Sequence, residues 1–142
     1  MNVNYWKIPK HRNLLIADEM ALEGMLEADC LSVLTSLYDT VYTTEDIYDR
    51  LMQRISFTWL QRLEAVKKKL FAVNKLVRDS VLNMHDILTE EEASALICAK
   101  TEMYDLLIDD PRKLRIMSGY GVYAVKPADV FVARILCREE VN

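Results

Sequence analysis

No glycine or proline falls between Phe57 and His85, and apolar residues recur there at Leu63, Val66, Leu70, Val73, Val77, Val81 and Met84. Gaps of three and four keep these seven side chains on one stripe of a helix. A helix over 57–84 would be roughly 40 Å long, wider than a small domain. The segment is also the basic part of an acidic chain. Arg62, Lys67, Lys68, Lys69, Lys75 and Arg78 stand against Glu64 and Asp79, a net of +4 where the whole chain is −4, so the remainder sums to −8. The spacing therefore predicts a long central helix with a basic outer face, around which the other elements pack.

The rest of the chain is read around it. Residues 1–13 form an N-terminal arm in which Tyr5, Trp6 and Ile8 alternate with Lys7, Lys10, His11 and Arg12, and Pro9 blocks a helix. Asn13 is placed to cap a first helix to about Tyr38, with Leu15, Leu22, Leu26, Cys30, Val33 and Leu37 inward and Gly24 as a weak point. Thr43 or Thr44 caps a short helix over 44–55, and Ser56 caps the long one. The pair can be drawn as a helix-turn-helix, although the turn lacks a glycine and a plain helical hairpin fits better. Thr89 and Glu92 make a capping box for a helix over 89–110, which Pro111 ends.

Beyond Pro111 the pattern changes. Lys113–Met117, the turn Ser118-Gly119-Tyr120-Gly121, and Val122–Lys126 read as a β-hairpin. Residues 130–136 read as a third antiparallel strand or, with Pro127 at its first position, as a final helix. The expected fold is thus mainly α. It has about four helices around the 57–84 helix and a C-terminal β-hairpin or three-stranded meander. The expected domain is 1–142, with an arm (1–13), a helical core (14–110) and a β-rich end (111–142).

Chemistry is harder to find. There are two histidines, His11 and His85, and neither lies near a glycine-rich elbow. There is no C-x-x-C and no H-E-x-x-H, and Cys30, Cys98 and Cys137 are far apart, as reduced buried thiols of a cytoplasmic protein would be. Glu90-Glu91-Glu92 fits helix capping, and Asp109-Asp110 a solvated helix end. Two glycines near 120 do not make a phosphate loop. No apolar run approaches the ~18 residues that span a bilayer. The sequence thus supports no catalytic residue, no metal and no cofactor.

What remains is binding. The candidate contact residues are Arg62, Lys67, Lys68, Lys69, Lys75 and Arg78 on the basic helix. To these are added Arg112, Lys113, Arg115, Tyr120 and Tyr123 around the hairpin, and Trp6 in the arm. The expected function is non-enzymatic: an inhibitor, immunity protein or assembly adaptor of the phage-encoded kind. Its partner would be another protein or a second copy of itself in a homo-oligomer. The alternative is a nucleic-acid-binding regulator that uses the 57–84 helix or the 112–126 hairpin. A winged-helix version of that alternative suffers from the acidity of 89–110, which DNA would repel.

Overall fold

Leu14, Leu15 and Ile16 are all fully buried. A run with both faces buried belongs inside a parallel sheet covered by helices on each side. The computed structural model, which describes residues 12–70 and 72–132, places it there. The elements are β1 (Asn13–Ile16), α1 (Glu19–Ala28), α2 (Leu31–Leu37), β2 (Thr40–Thr44), α3 (Glu45–Met52) and α4 (Phe57–Leu63). They continue with β3 (Lys67–Lys69), α5 (Lys75–Met84), α6 (Glu90–Glu102), β4 (Asp105–Leu107), α7 (Pro111–Gly119) and β5 (Ala124–Val125). The strands form one sheet in the order β3-β2-β1-β4-β5, and every pair is parallel.

Alternation along the strands divides the core in two. Leu14, Ile16, Val41 and Leu107 face α1 to α4 and Val130. Leu15, Ala17, Leu106 and Ile108 face α5 to α7. The fold is therefore a five-stranded parallel sheet between two helical layers, not a mainly α bundle with an antiparallel C-terminal hairpin or meander.

Each misread element has a physical reason. The expected 57–84 helix is three pieces: α4, β3 and α5. Its stripe does not lie on one face, since Leu63, Val66 and Val81 are buried while Leu70 and Met84 are each more than 70% exposed. Lys67–Lys69 is an edge strand, and lysines on an edge discourage pairing with another sheet. Asn74, whose side chain accepts from the Leu76 and Val77 N–H groups, starts α5. The expected first helix divides at Asp29, which is left-handed at φ 54°, and not at Gly24. Its first residues, from Asn13, are strand.

The expected 89–110 helix ends at Met103, also left-handed, and gives way to β4. Pro111 opens a helix where it was expected to close one, with Asp110 as the cap. The hairpin is accordingly α7 followed by β5, which pairs in parallel with β4. Residues 127–132 are helical, so the helix reading holds there and the third strand does not. The capping box at Thr89 and Glu92 and the caps at Thr44 and Ser56 are present. Trp6, most of the arm and Cys137 lie outside the described residues. Cys30 and Cys98 are buried free thiols. Among the described residues no helix is long and apolar enough to cross a membrane.

Candidate functional site

In an open parallel sheet, ligands bind beyond the carboxyl ends of the strands, where the strand order reverses. Here β1 leads toward β2 on one side and β4 toward β5 on the other, so the reversal lies between β1 and β4. Three acids sit at that point. Asp18 follows β1, and Asp109 and Asp110 follow β4. With Met20, Pro111 and Arg112 they line an open cleft of about 590 Å³.

Asp18 ties the two strand ends together. One carboxylate oxygen caps α1 by accepting the Ala21 N–H at 3.1 Å, and the other accepts the Asp109 N–H at 3.1 Å. Asp110 caps α7, accepting the Arg112 N–H at 2.8 Å, with the Arg112 guanidinium 3.3 Å away. The backbone and side-chain donors of Arg112 hold its carboxyl below the usual carboxylate range. The Asp109 side chain is exposed and makes no hydrogen bond or ion pair among the described residues.

Basic side chains from both helical layers are interleaved with the neighbouring acids. Arg50 of α3 contacts Glu19 of α1 at 2.6 Å and Glu91 of α6 at 3.1 Å, joining the layers across the sheet's end. Arg54 pairs with Glu19 and Glu23. Burial works against the Glu19 charge, but hydrogen bonds from Arg50 and Arg54 outweigh it and keep the carboxyl low. Lys113 reaches Glu92 at 2.8 Å.

Carboxylate oxygens are the donor type for Mg2+ or Mn2+. Yet among the described residues no three Asp, Glu, His or Cys side chains converge in a way that would hold an ion. Asp18 directs both oxygens at backbone N–H groups and Asp110 points into its own helix. The arrangement as it stands does not fit a divalent ion.

The expected contact residues do not form one face. Arg62 donates to the Leu26 carbonyl at 2.6 Å and closes the end of α1. Lys68 pairs with Asp49 at 2.8 Å. Lys69 pairs with Glu102 at 3.0 Å, which pushes it up to about 12, and lies over the stacked rings of Tyr42 and Tyr104. Lys67 and Lys75 are exposed, on β3 and at the start of α5. Arg78 contacts Glu90 at 2.9 Å. Tyr120 meets His85 Nε2 at 3.1 Å, and Tyr123 lies at the opposite end of the sheet, just before β5. Arg112, Lys113 and Arg115 do share α7, and Arg112 reaches the cleft.

The sequence reading missed Asp18 and Arg50 as site residues, and set Asp109 and Asp110 aside as a solvated helix end. A signal for the aspartates was present: Leu14-Leu15-Ile16-Ala17-Asp18 and Leu106-Leu107-Ile108-Asp109 each place an acid directly after a buried apolar run.

Two solved structures share this fold. The PilT N-terminus domain protein SSO1118 from the hyperthermophilic archaeon Sulfolobus solfataricus P2 superposes with a TM-score of 0.57 at 17% identity, covering 85% of this chain and 92% of that one. PAE2754 from Pyrobaculum aerophilum superposes with a TM-score of 0.58 at 16% identity, covering 87% and 96%. No curated protein matches the sequence. Residues 14–123 match the family described as DUF3368: PIN domain. That span runs from the first strand to the threshold of the last and takes in the whole cleft, and the chain belongs to the PIN-domain family DUF3368.

Proposed function

We propose that the protein is a nuclease that cuts a nucleic-acid strand at the cleft between β1 and β4. The family match overturns the expectation of a non-enzymatic inhibitor, immunity protein or adaptor of phage type, because PIN domains are generally nucleases. The nucleic-acid alternative is the better part of the sequence reading, moved from the 57–84 segment to the sheet's carboxyl edge. The observation that carries the proposal is Asp109, exposed and without a side-chain partner among the described residues, at the strand-order reversal of a PIN fold.

In this reading Asp109 takes the proton from a water that attacks phosphorus. The bond from phosphorus to the leaving sugar oxygen breaks, and that oxygen takes its proton from solvent. Asp18 holds Asp109 in place through its backbone. Arg112, with a side chain 70% exposed, contacts a phosphate oxygen. The work is done inside the cell, in the cytoplasm. Asp109→Asn should lower cleavage of single-stranded RNA or DNA by about 100-fold with an unchanged melting temperature. The assay is run with and without added Mg2+ or Mn2+. A wild-type protein that cleaves neither polymer, or an Asp109→Asn variant as active as wild type, removes the proposal.

A second copy is proposed as the partner. Leu76, Val77 and Met84 leave a largely exposed apolar strip on α5, which supports it. Light scattering that gives the mass of one chain at high concentration would refute the pairing.

A further inference from the structure

We propose that Met20 and Pro111 seat the base beside the bond that is cut, and that they do so for any base. The inference rests on the nuclease reading above and names the groups by which the cleft holds its strand. Met20 is 81% exposed, the most exposed large apolar side chain among the described residues. It stands in the first turn of α1, two residues past Asp18, and belongs to neither core cluster. The buried face of that helix is made by other residues, Leu22 and Leu26 among them. Pro111 opens α7, two residues past Asp109, and is exposed as well. Both line the cleft. The Asp18 carboxylate accepts the Asp109 N–H and so joins the two strand ends they follow. Each wall of the cleft therefore carries one apolar group beside its acid.

Charge does not supply the grip. Arg112 is the one cation lining the cleft among the described residues, against the carboxylates of Asp18, Asp109 and Asp110. A net of −2 repels a chain of phosphates. Binding must then draw on the uncharged parts of a nucleotide, and the large apolar face among these is the flat of the base. A thioether is favourable against an aromatic ring, and apolar surface removed from water on both sides adds to it. Neither side chain offers a strong donor or acceptor, so neither tells one base from another. Arg112 holds one phosphate oxygen while the base rests against Met20 and Pro111.

The test pairs a change in the protein with a change in the substrate. Cleavage is measured on a single-stranded oligonucleotide with one mapped cut site, and on copies that are abasic on one or the other side of it. Met20→Ala removes the thioether, and alanine suits an exposed helical position, so the fold is kept. This variant should raise KM roughly fivefold with kcat unchanged, and Met20→Leu should restore the wild-type KM. One of the abasic copies should raise KM as much in wild type and cost nothing further in Met20→Ala. Losses that multiply, or a Met20→Ala protein with the wild-type KM, would overturn the seat and leave the nuclease reading untouched. So would a KM that climbs more than about threefold between 50 and 200 mM salt, the mark of a strand held by several phosphates. A fall in the light-scattering mass of Met20→Ala would also overturn it, since the methionine would then serve a second copy. Should the wild type cut nothing, the same cycle is read from the fluorescence anisotropy of the labelled oligonucleotides. Binding that depends on Met20 would there uphold the seat and sink the nuclease reading, and no binding would sink both.

Discussion

Asp105, at the amino end of β4, is 1% exposed. Asp109, four residues on and past the other end of the same strand, is exposed, and its side chain has no partner among the described residues. Asp105 is enclosed by the Arg12 guanidinium, whose Nε donates at 2.9 Å, and by the Tyr38 hydroxyl at 3.0 Å. Both partners come from the residues that lead into β1 and β2. The triad therefore fixes the register in which three strands enter the sheet. At the carboxyl end acids are more numerous, and Glu19, Glu23, Glu91 and Asp110 are answered by the well-exposed guanidinium groups of Arg50, Arg54 and Arg112, which solvent or a substrate can replace. One edge is closed chemistry that stabilises; the other is open chemistry that can exchange partners. A buried charge is tolerated only when fully answered, whereas a reactive carboxylate must be left free on one side.

The comparison can be broken at the closed end first. Arg12→Met would leave Asp105 buried beside Tyr38 alone. Losing one member of a buried pair costs about 3–5 kcal/mol. Because Arg12 keeps 28% of its side chain exposed, we expect about 3 kcal/mol, seen as a melting temperature lower by roughly 10 °C. Cleavage, measured well below that temperature, should not change. If cleavage falls instead, the two edges are not independent. Asp109→Asn is the mirror test, with cleavage lost and melting unchanged.

The smallest effect is a pH dependence. Burial, and then the Asp105 charge, push the Tyr38 hydroxyl well above the ordinary phenol range. Its folded pKa is thus raised above its unfolded value near 10. The stability it supplies is complete below pH 10 and is lost as pH rises beyond it. Between pH 9.5 and 11 the wild type should lose about 1 kcal/mol more than Tyr38→Phe, by denaturant melts at each pH. Parallel curves for the two proteins would mean that the triad is not closed.

What could be read from the sequence follows from how local each signal is. Helix caps are written within four residues, and Thr44, Ser56 and Thr89 with Glu92 were legible for that reason. The strands were not. They are two to five residues long, and β1 and β4 are buried on both faces, so they show no alternation and merge into the helical periods beside them. Thr40-Val41-Tyr42-Thr43-Thr44, five good strand formers in a row, was the exception and was passed over for the helix before it. Lys67–Lys69 looked like a basic helical face because nothing nearby in sequence marks Asp49, Glu102, Tyr42 and Tyr104 as its partners. The site was illegible for the same reason. Asp18 and Asp109 meet only through a pairing of strands 91 residues apart.

That separation sets when the cleft can first exist. Contacts between distant parts of a chain close late, after the entropy of the intervening loop has been lost. On the ribosome, β1 and its acid emerge early, and the strand that completes the crevice follows only after six helices have been made. No nascent chain ending before Asp110 has both walls of the cleft. A chain still being made therefore lacks the proposed cutting site until β4 and Asp109 have emerged.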